Sequence, residues 1–232
     1  MSDLTGKVAV ITGAKGGLGT FVTRAFLEAG ASVAGVSRSI AAVDFNHPRF
    51  AAIPAELSSG DAANAALDRA ISRFGRIDAL VHLMGAWAGG SLLEDTDEST
   101  FERMLDLNLR STFHVMRAAA KRMRPQGAGR LLAIASKAAL EPQPQAGAYS
   151  VSKSAVVALM RAFASELRDS GVTANVLLPG TMDTPQNRAA MPAADPLRWV
   201  QPCQVAEMLA FLASDAASGI SGAAIPIYGA DL

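Results

Sequence analysis

The stretch Lys7-Val-Ala-Val-Ile-Thr-Gly-Ala-Lys-Gly-Gly-Leu-Gly19, running on through Thr20 to Gly30, decides the fold. Val8, Val10 and Ile11 make a short β-branched run, the composition of a strand, and it ends at glycines. Beyond them Leu18, Val22, Ala25, Phe26 and Ala29 recur at helical spacing, and Gly30 supplies a stop. A glycine-rich turn between strand and helix lets the backbone bend tightly and come close to a pyrophosphate. The helix that follows offers free N–H groups and a positive dipole end to the anion. Gly13, Gly17 and Gly19, with Lys15 and Leu18 between them, are therefore candidate dinucleotide contacts.

The alternation continues along the chain. Ser32–Ser37 reads as a second strand, residues 49–54 as a weaker third, residues 59–74 as a helix and residues 79–84 as a fourth strand. Residues 101–123 read as one long helix, with Phe101, Met104, Leu105, Leu109, Thr112, Val115 and Met116 every three or four positions. Asn108 interrupts its apolar face, and a polar amide there needs partners. Residues 125–129 should end that helix. A fifth strand is read over 130–135, a helix over 153–167, a sixth strand over 173–178, a helix over 204–213 and a last strand over 223–228. Near-continuous apolar strands alternating with helices predict an α/β fold: a Rossmann-type, doubly wound parallel sheet with helices on both faces, one domain over 1–232.

Half of the 232 residues are hydrophobic and 18% are charged, enough apolar material for a large core. The formal net charge is zero, so no electrostatic footprint for nucleic acid or an acidic membrane is expected. Cys203 is the only cysteine, which excludes an intrachain disulfide and suits a reducing compartment. The start of the chain runs into a strand pattern without a signal peptide, and no apolar run approaches the ~20 residues of a membrane span. The expectation is a soluble, cytoplasmic protein with no metal site.

The chemistry is concentrated in Tyr149-Ser-Val-Ser-Lys153. Residues four apart on a helix point the same way. A free phenol titrates near ~10, and an ammonium held beside it favours the phenolate. The pair suits general acid/base work on an oxygen. Ser136, thirteen residues before Tyr149, closes the fifth strand, at the end of the sheet where open parallel sheets bind ligands.

Thr12-Gly-x-x-x-Gly-x-Gly19, Leu107-Asn108, Ser136, Tyr149-x-x-x-Lys153 and Pro179-Gly180 with Thr184 fall in an order that resembles the short-chain dehydrogenase/reductase family, over essentially the whole chain. The resemblance implies a carbonyl/alcohol oxidoreductase. In it Ser136 holds the substrate oxygen and Tyr149 exchanges a proton with it. Lys153 binds the nicotinamide ribose and lowers the tyrosine pKa. Asn108 distorts its helix and holds a water that links the lysine to solvent. Pro179, Gly180, Thr181, Met182 and Thr184 would close over the cofactor, and the helices around Asn108 and Lys153 would form a homodimer or homotetramer.

Some positions depart from the family pattern. Asn-Asn-Ala-Gly after the fourth strand is here His82-Leu-Met-Gly85, so only Gly85 matches; His82 is read as a buried, hydrogen-bonded strand residue. The aspartate that meets adenine appears as Glu56, followed by Leu57. Ser37-Arg38 stands where an acidic residue would select NAD, so NADP(H) is the expected cofactor, with NAD(H) possible. Lys15 is one position earlier than the basic residue of many NADP-dependent members. Trp87, Leu140, Gln143, Met182, Met191 and Trp199 are candidate walls of the substrate pocket. Patches at 87–90, 137–140 and 183–195 also resemble quinoid dihydropteridine reductases, which gives pteridine reduction as a second reading. A dinucleotide-binding regulator without turnover is a third, and Ser136 argues against it because a pure binder has no need of it.

Overall fold

The computed structural model describes residues 2–230. In chain order the elements are β1 (Val8–Thr12), α1 (Gly17–Glu28), β2 (Ser32–Ser37), β3 (Phe50–Pro54), α2 (Gly60–Phe74), β4 (Ala79–His82), α3 (Glu98–Met104), α4 (Ser111–Gln126), β5 (Gly129–Ile134), α5 (Gly147–Glu166), β6 (Val172–Pro179), α6 (Pro185–Ala190), α7 (Pro202–Ala213) and β7 (Ala224–Ile227). The strands form one seven-stranded sheet in the order β3-β2-β1-β4-β5-β6-β7. Every neighbouring pair is parallel. The order reverses direction between β1 and β4, so a crevice opens there beyond the strands' C-terminal ends.

Because both faces are covered, β1 and β6 are buried along their whole length. One core lies between the sheet and α1 and α7, around Phe26, Val22 and Leu209. The other lies under α2, α4 and α5, around Leu67, Met116 and Met160. Local chemistry sets the helix ends. Ser59 caps α2 by accepting from the Ala62 N–H, and Gly75 closes it in the left-handed region at φ 84°.

The single helix expected over 101–123 is three segments. α3 ends at Met104, Leu105–Arg110 form a π-helical turn, and α4 continues to Gln126. The apolar spacing hides this, since one extra residue per turn still leaves hydrophobic positions three or four apart. α4 also runs through Pro125 and stops at Gly127, φ 70°. A proline in the last turn forfeits little helical bonding, whereas the left-handed glycine ends it.

Candidate active site

Ser136 lies just past β5 and opens a tight helical turn, Lys137–Ala139; its Oγ accepts from the Ala138 N–H at 3.2 Å. The Ser136 hydroxyl stands near enough to the Tyr149 phenol to pull its pKa down. Tyr149 stands in the first turn of α5, half-buried, and Lys153 follows one turn later with 5% of its surface exposed. The Lys153 Nζ donates to the Ile134 carbonyl at 3.2 Å and lies 5.8 Å from the centroid of the Tyr149 ring. Burial pushes the lysine down to about 8.

The sequence reading has the ammonium lowering the phenol's pKa. The structure differs: burial raises the Tyr149 pKa, and the opposing pull comes from Ser136.

Asn108 sits in the π-helical turn, 1% exposed. Its Oδ1 accepts from the Ala86 N–H at 2.8 Å, and its Nδ2 donates to the Ala86 carbonyl at 3.0 Å and to Ser152 Oγ at 2.9 Å. The amide thus clamps the segment after β4 to α5. Gly85 is the point of closest approach: a Cβ there would stand 2.9 Å from Asn108 Oδ1 and 3.0 Å from Lys153 Nζ. Sequence reasoning missed Ser152 and the Ile134 carbonyl, which hold Asn108 and Lys153. Ser152 lies inside the Tyr-x-x-x-Lys span, but nothing about the spacing distinguishes it from its neighbour Ser150.

His82 is buried and hydrogen-bonded, as expected. Its Nδ1 is 2.8 Å from Thr12 Oγ1 and its Nε2 3.4 Å from Ser111 Oγ. Burial, and then the charge of Lys153, pushes it down to about 3, so it is a neutral link between β1 and the end of the π-helical turn.

The residues present fit a dinucleotide. α1 begins at Gly17 with no side-chain cap, which leaves its first N–H groups for a ligand. A Cβ on Gly19 would stand 2.0 Å from the Gly13 carbonyl oxygen, so only glycine allows this turn. The Leu18 side chain lies in the core. The same holds for Leu57, 1% exposed in the other core, whereas Glu56 is exposed. Ser37 Oγ accepts from the Lys15 N–H at 3.2 Å. Arg38 is exposed and has no hydrogen bond or ion pair among the described residues.

On the far side, Gly180 donates to the Ile227 carbonyl, and Met182 bridges to Val200, whose N–H donates to Thr181 and whose carbonyl accepts from Asp183. Thr184, 7% exposed, caps α6 and lies over the glycine turn, with its Cγ2 3.4 Å from where a Gly17 Cβ would be. Asn187, within the 183–195 patch, donates to the Met182 carbonyl at 2.8 Å and fixes this loop.

Of the six candidate pocket walls, Trp87 alone lines the cavity of about 260 Å³ beside the first turn of α5, together with Thr100, Arg103 and Gln145. Trp199 is 7% exposed and packed into the body, while Leu140 and Met191 are exposed. Their positions follow from contacts that a loop sequence does not encode. Among the described residues no group of His, Cys, Asp or Glu could hold a metal, and no helix is long and apolar enough to cross a membrane.

A glycine turn and a Ser/Tyr/Lys cluster on one edge of a doubly wound parallel sheet define a Rossmann-type oxidoreductase class. Residues 7–194 match the family model described as short chain dehydrogenase, and the chain belongs to that family. It is similar to a cis-4-hydroxycyclohexanecarboxylate dehydrogenase of Sinomonas cyclohexanicum, 32% identical over 96% of this chain and 95% of the relative. Among solved structures, a 3-ketoacyl-(acyl-carrier-protein) reductase from Brucella melitensis complexed with NADH superposes with a TM-score of 0.88 at 30% identity, over 99% of this chain and 100% of that one. ElxO with NADP bound superposes with a TM-score of 0.90 at 25% identity, over 100% of this chain and 99% of that one.

Proposed function

We propose that this chain interconverts a carbonyl and an alcohol with NADP(H), through Ser136, Tyr149, Lys153 and Asn108. The observation that carries the reading is the placement of the Ser136 hydroxyl near the Tyr149 phenol, with the buried Lys153 one turn further along α5. When bound, the cofactor supplies or accepts the hydride. Ser136 and Tyr149 present two hydroxyls to one substrate oxygen, donors placed where charge develops. In reduction Tyr149 gives its proton to that oxygen, and the raised phenol pKa keeps the proton available at neutral pH. Lys153 holds the ribose hydroxyls and supplies positive charge as the phenolate forms. Asn108 orients the Gly85–Ala86 backbone and, through Ser152, the helix that carries both groups.

Arg38, beside Ser37 and without a hydrogen bond or ion pair among the described residues, supports NADP(H). A charge-assisted hydrogen bond of ~1.5–3 kcal/mol corresponds to a preference of roughly 10- to 100-fold over NAD(H). The relatives with NADP and with NADH bound represent both choices. Trp87, exposed at the cavity beside α5, keeps quinonoid dihydropterin as a second substrate reading. The single exposed Cys203 fits a reducing, cytoplasmic setting; fractionation of expressing cells that placed the protein with secreted or membrane material would refute it.

The test is consumption of NADPH over a panel of ketones, aldehydes and quinonoid dihydropterin, with Tyr149→Phe as the control. Wild type should turn over at least one carbonyl, and Tyr149→Phe should lose ~10²–10⁴ in kcat while still binding nucleotide. A variant that keeps more than about a tenth of the rate would remove Tyr149 from the proton step.

A further inference from the structure

Lys15 and Asp44 form an ion pair, Nζ to Oδ1, at 2.9 Å. The same amine donates to the Ser39 carbonyl at 3.1 Å, while the Lys15 backbone N–H donates to Ser37 Oγ. Lys15 therefore reaches from the glycine turn across Ser37 to the loop beyond β2. Asp44 is held from behind: its Oδ2 accepts from the Ala41 N–H at 2.8 Å. Its short helical turn, Ala42–Phe45, is anchored by Phe45, which is 7% exposed with its ring centroid 4.9 Å from that of Phe50. The ribose end of the proposed nucleotide site thus carries Arg38, without a partner among the described residues, and Lys15 with its charge engaged by a fixed carboxylate.

We infer that Asp44 is a specificity-determining residue that weakens binding of 2′-phosphorylated nucleotides, by holding the Lys15 ammonium in an ion pair and setting a negative charge beside the 2′-phosphate position. The inference rests on the NADP(H) reading, with Arg38 as the primary phosphate contact. A 2′-phosphate has to share Lys15 with Asp44 or displace it, whereas a bare 2′-hydroxyl meets neither cost. Asp44 thereby narrows the gap between the two cofactors that Arg38 alone would set. An asparagine at 44 keeps an acceptor for the Ala41 N–H and so preserves the turn, but releases the lysine.

The experiment is calorimetric titration of adenosine 2′,5′-bisphosphate and 5′-AMP into the full chain as wild type, Asp44→Asn, Arg38→Ser and Asp44→Asn/Lys15→Met. Melting curves verify that each variant is folded. Asp44→Asn should bind the 2′,5′-bisphosphate more tightly by about three- to fivefold, the scale of one exposed ion pair, with 5′-AMP unchanged. The gain should shrink at high salt and vanish in the double variant. If Arg38→Ser weakens the bisphosphate but Asp44→Asn leaves it equal or weaker, the role of Asp44 is overturned and the NADP(H) reading stands. If wild type binds both probes equally and Arg38→Ser changes nothing, the NADP(H) reading fails and this inference with it.

Discussion

Lys153 is the costliest residue at the site. Its pKa falls from 10.5 to about 8 through burial. A shift of that size corresponds to an expense on the order of 3 kcal/mol for the charged form below pH 8. The Ile134 carbonyl, which accepts from the ammonium at 3.2 Å, offsets part of this. Lys153→Met should therefore raise Tm at pH 7 while abolishing turnover, a trade of activity for stability that thermal melts and the NADPH assay would read together. The same shift sets a pH profile. In the proposed reaction, reduction needs a neutral Tyr149, whose pKa is raised, and a charged Lys153, so the rate should hold below pH 8 and fall as the lysine loses its proton. A rate that rises through pH 8 would contradict this assignment.

The π-helical turn at Leu105–Arg110 is the element that makes the site. An α-helix continued through these residues would have rotated Asn108 away; the wider turn aims its amide at Ala86 and Ser152. π-Turns of this kind recur at functional sites because they are tolerated only where something offsets their poorer bonding. Asn108→Leu would leave the Ala86 N–H and carbonyl without these partners. It should cost ~1–3 kcal/mol in stability and lower kcat more than it raises KM, since Lys153 loses its backing at Gly85. An unchanged kcat in a folded Asn108→Leu protein would show that the clamp is structural only.

Across the molecule, His82 joins β1 to the π-helical turn through Thr12 and Ser111, and it does so neutral. Its pKa lies near 6.5 when unfolded and about 3 when folded. Between those values the unfolded chain holds more protons, so stability is complete above pH 6.5 and falls as the pH drops toward 3, by about 1.4 kcal/mol per pH unit. Carboxylates with lowered pKa, such as Asp97 at about 2, act at lower pH. Denaturant unfolding between pH 4 and 6.5 should show this slope in wild type and a flatter one in His82→Asn. Assembly belongs to the same scale. Leu107, Phe113 and Val151 leave 41%, 38% and 43% of their surfaces exposed on the Asn108 turn, α4 and α5. We expect these surfaces to be covered in a homodimer or homotetramer; sedimentation at a monomer mass would refute that.

Strand and helix order was legible because each element's burial is written in its periodicity. β2 falls on the expected residues, and Gly19 in the glycine turn meets a backbone approach that no other residue type allows. Tyr149 and Lys153 could be picked out because their spacing along one helix is a local property, whereas Ser136 is marked by its interval to Tyr149 in the family that the sequence resembles. What only the tertiary structure decided depends on contacts between distant segments. The break of the long helix at Asn108 is settled by Ala86 and Ser152, 22 and 44 residues away. The raised pKa of Tyr149 is settled by burial, against the opposing pull of Ser136. The engagement of Lys15 by Asp44 lies across two loops. Periodicity reports which face of an element is buried; it carries no information about which polar group meets it there, and that pairing sets the chemistry.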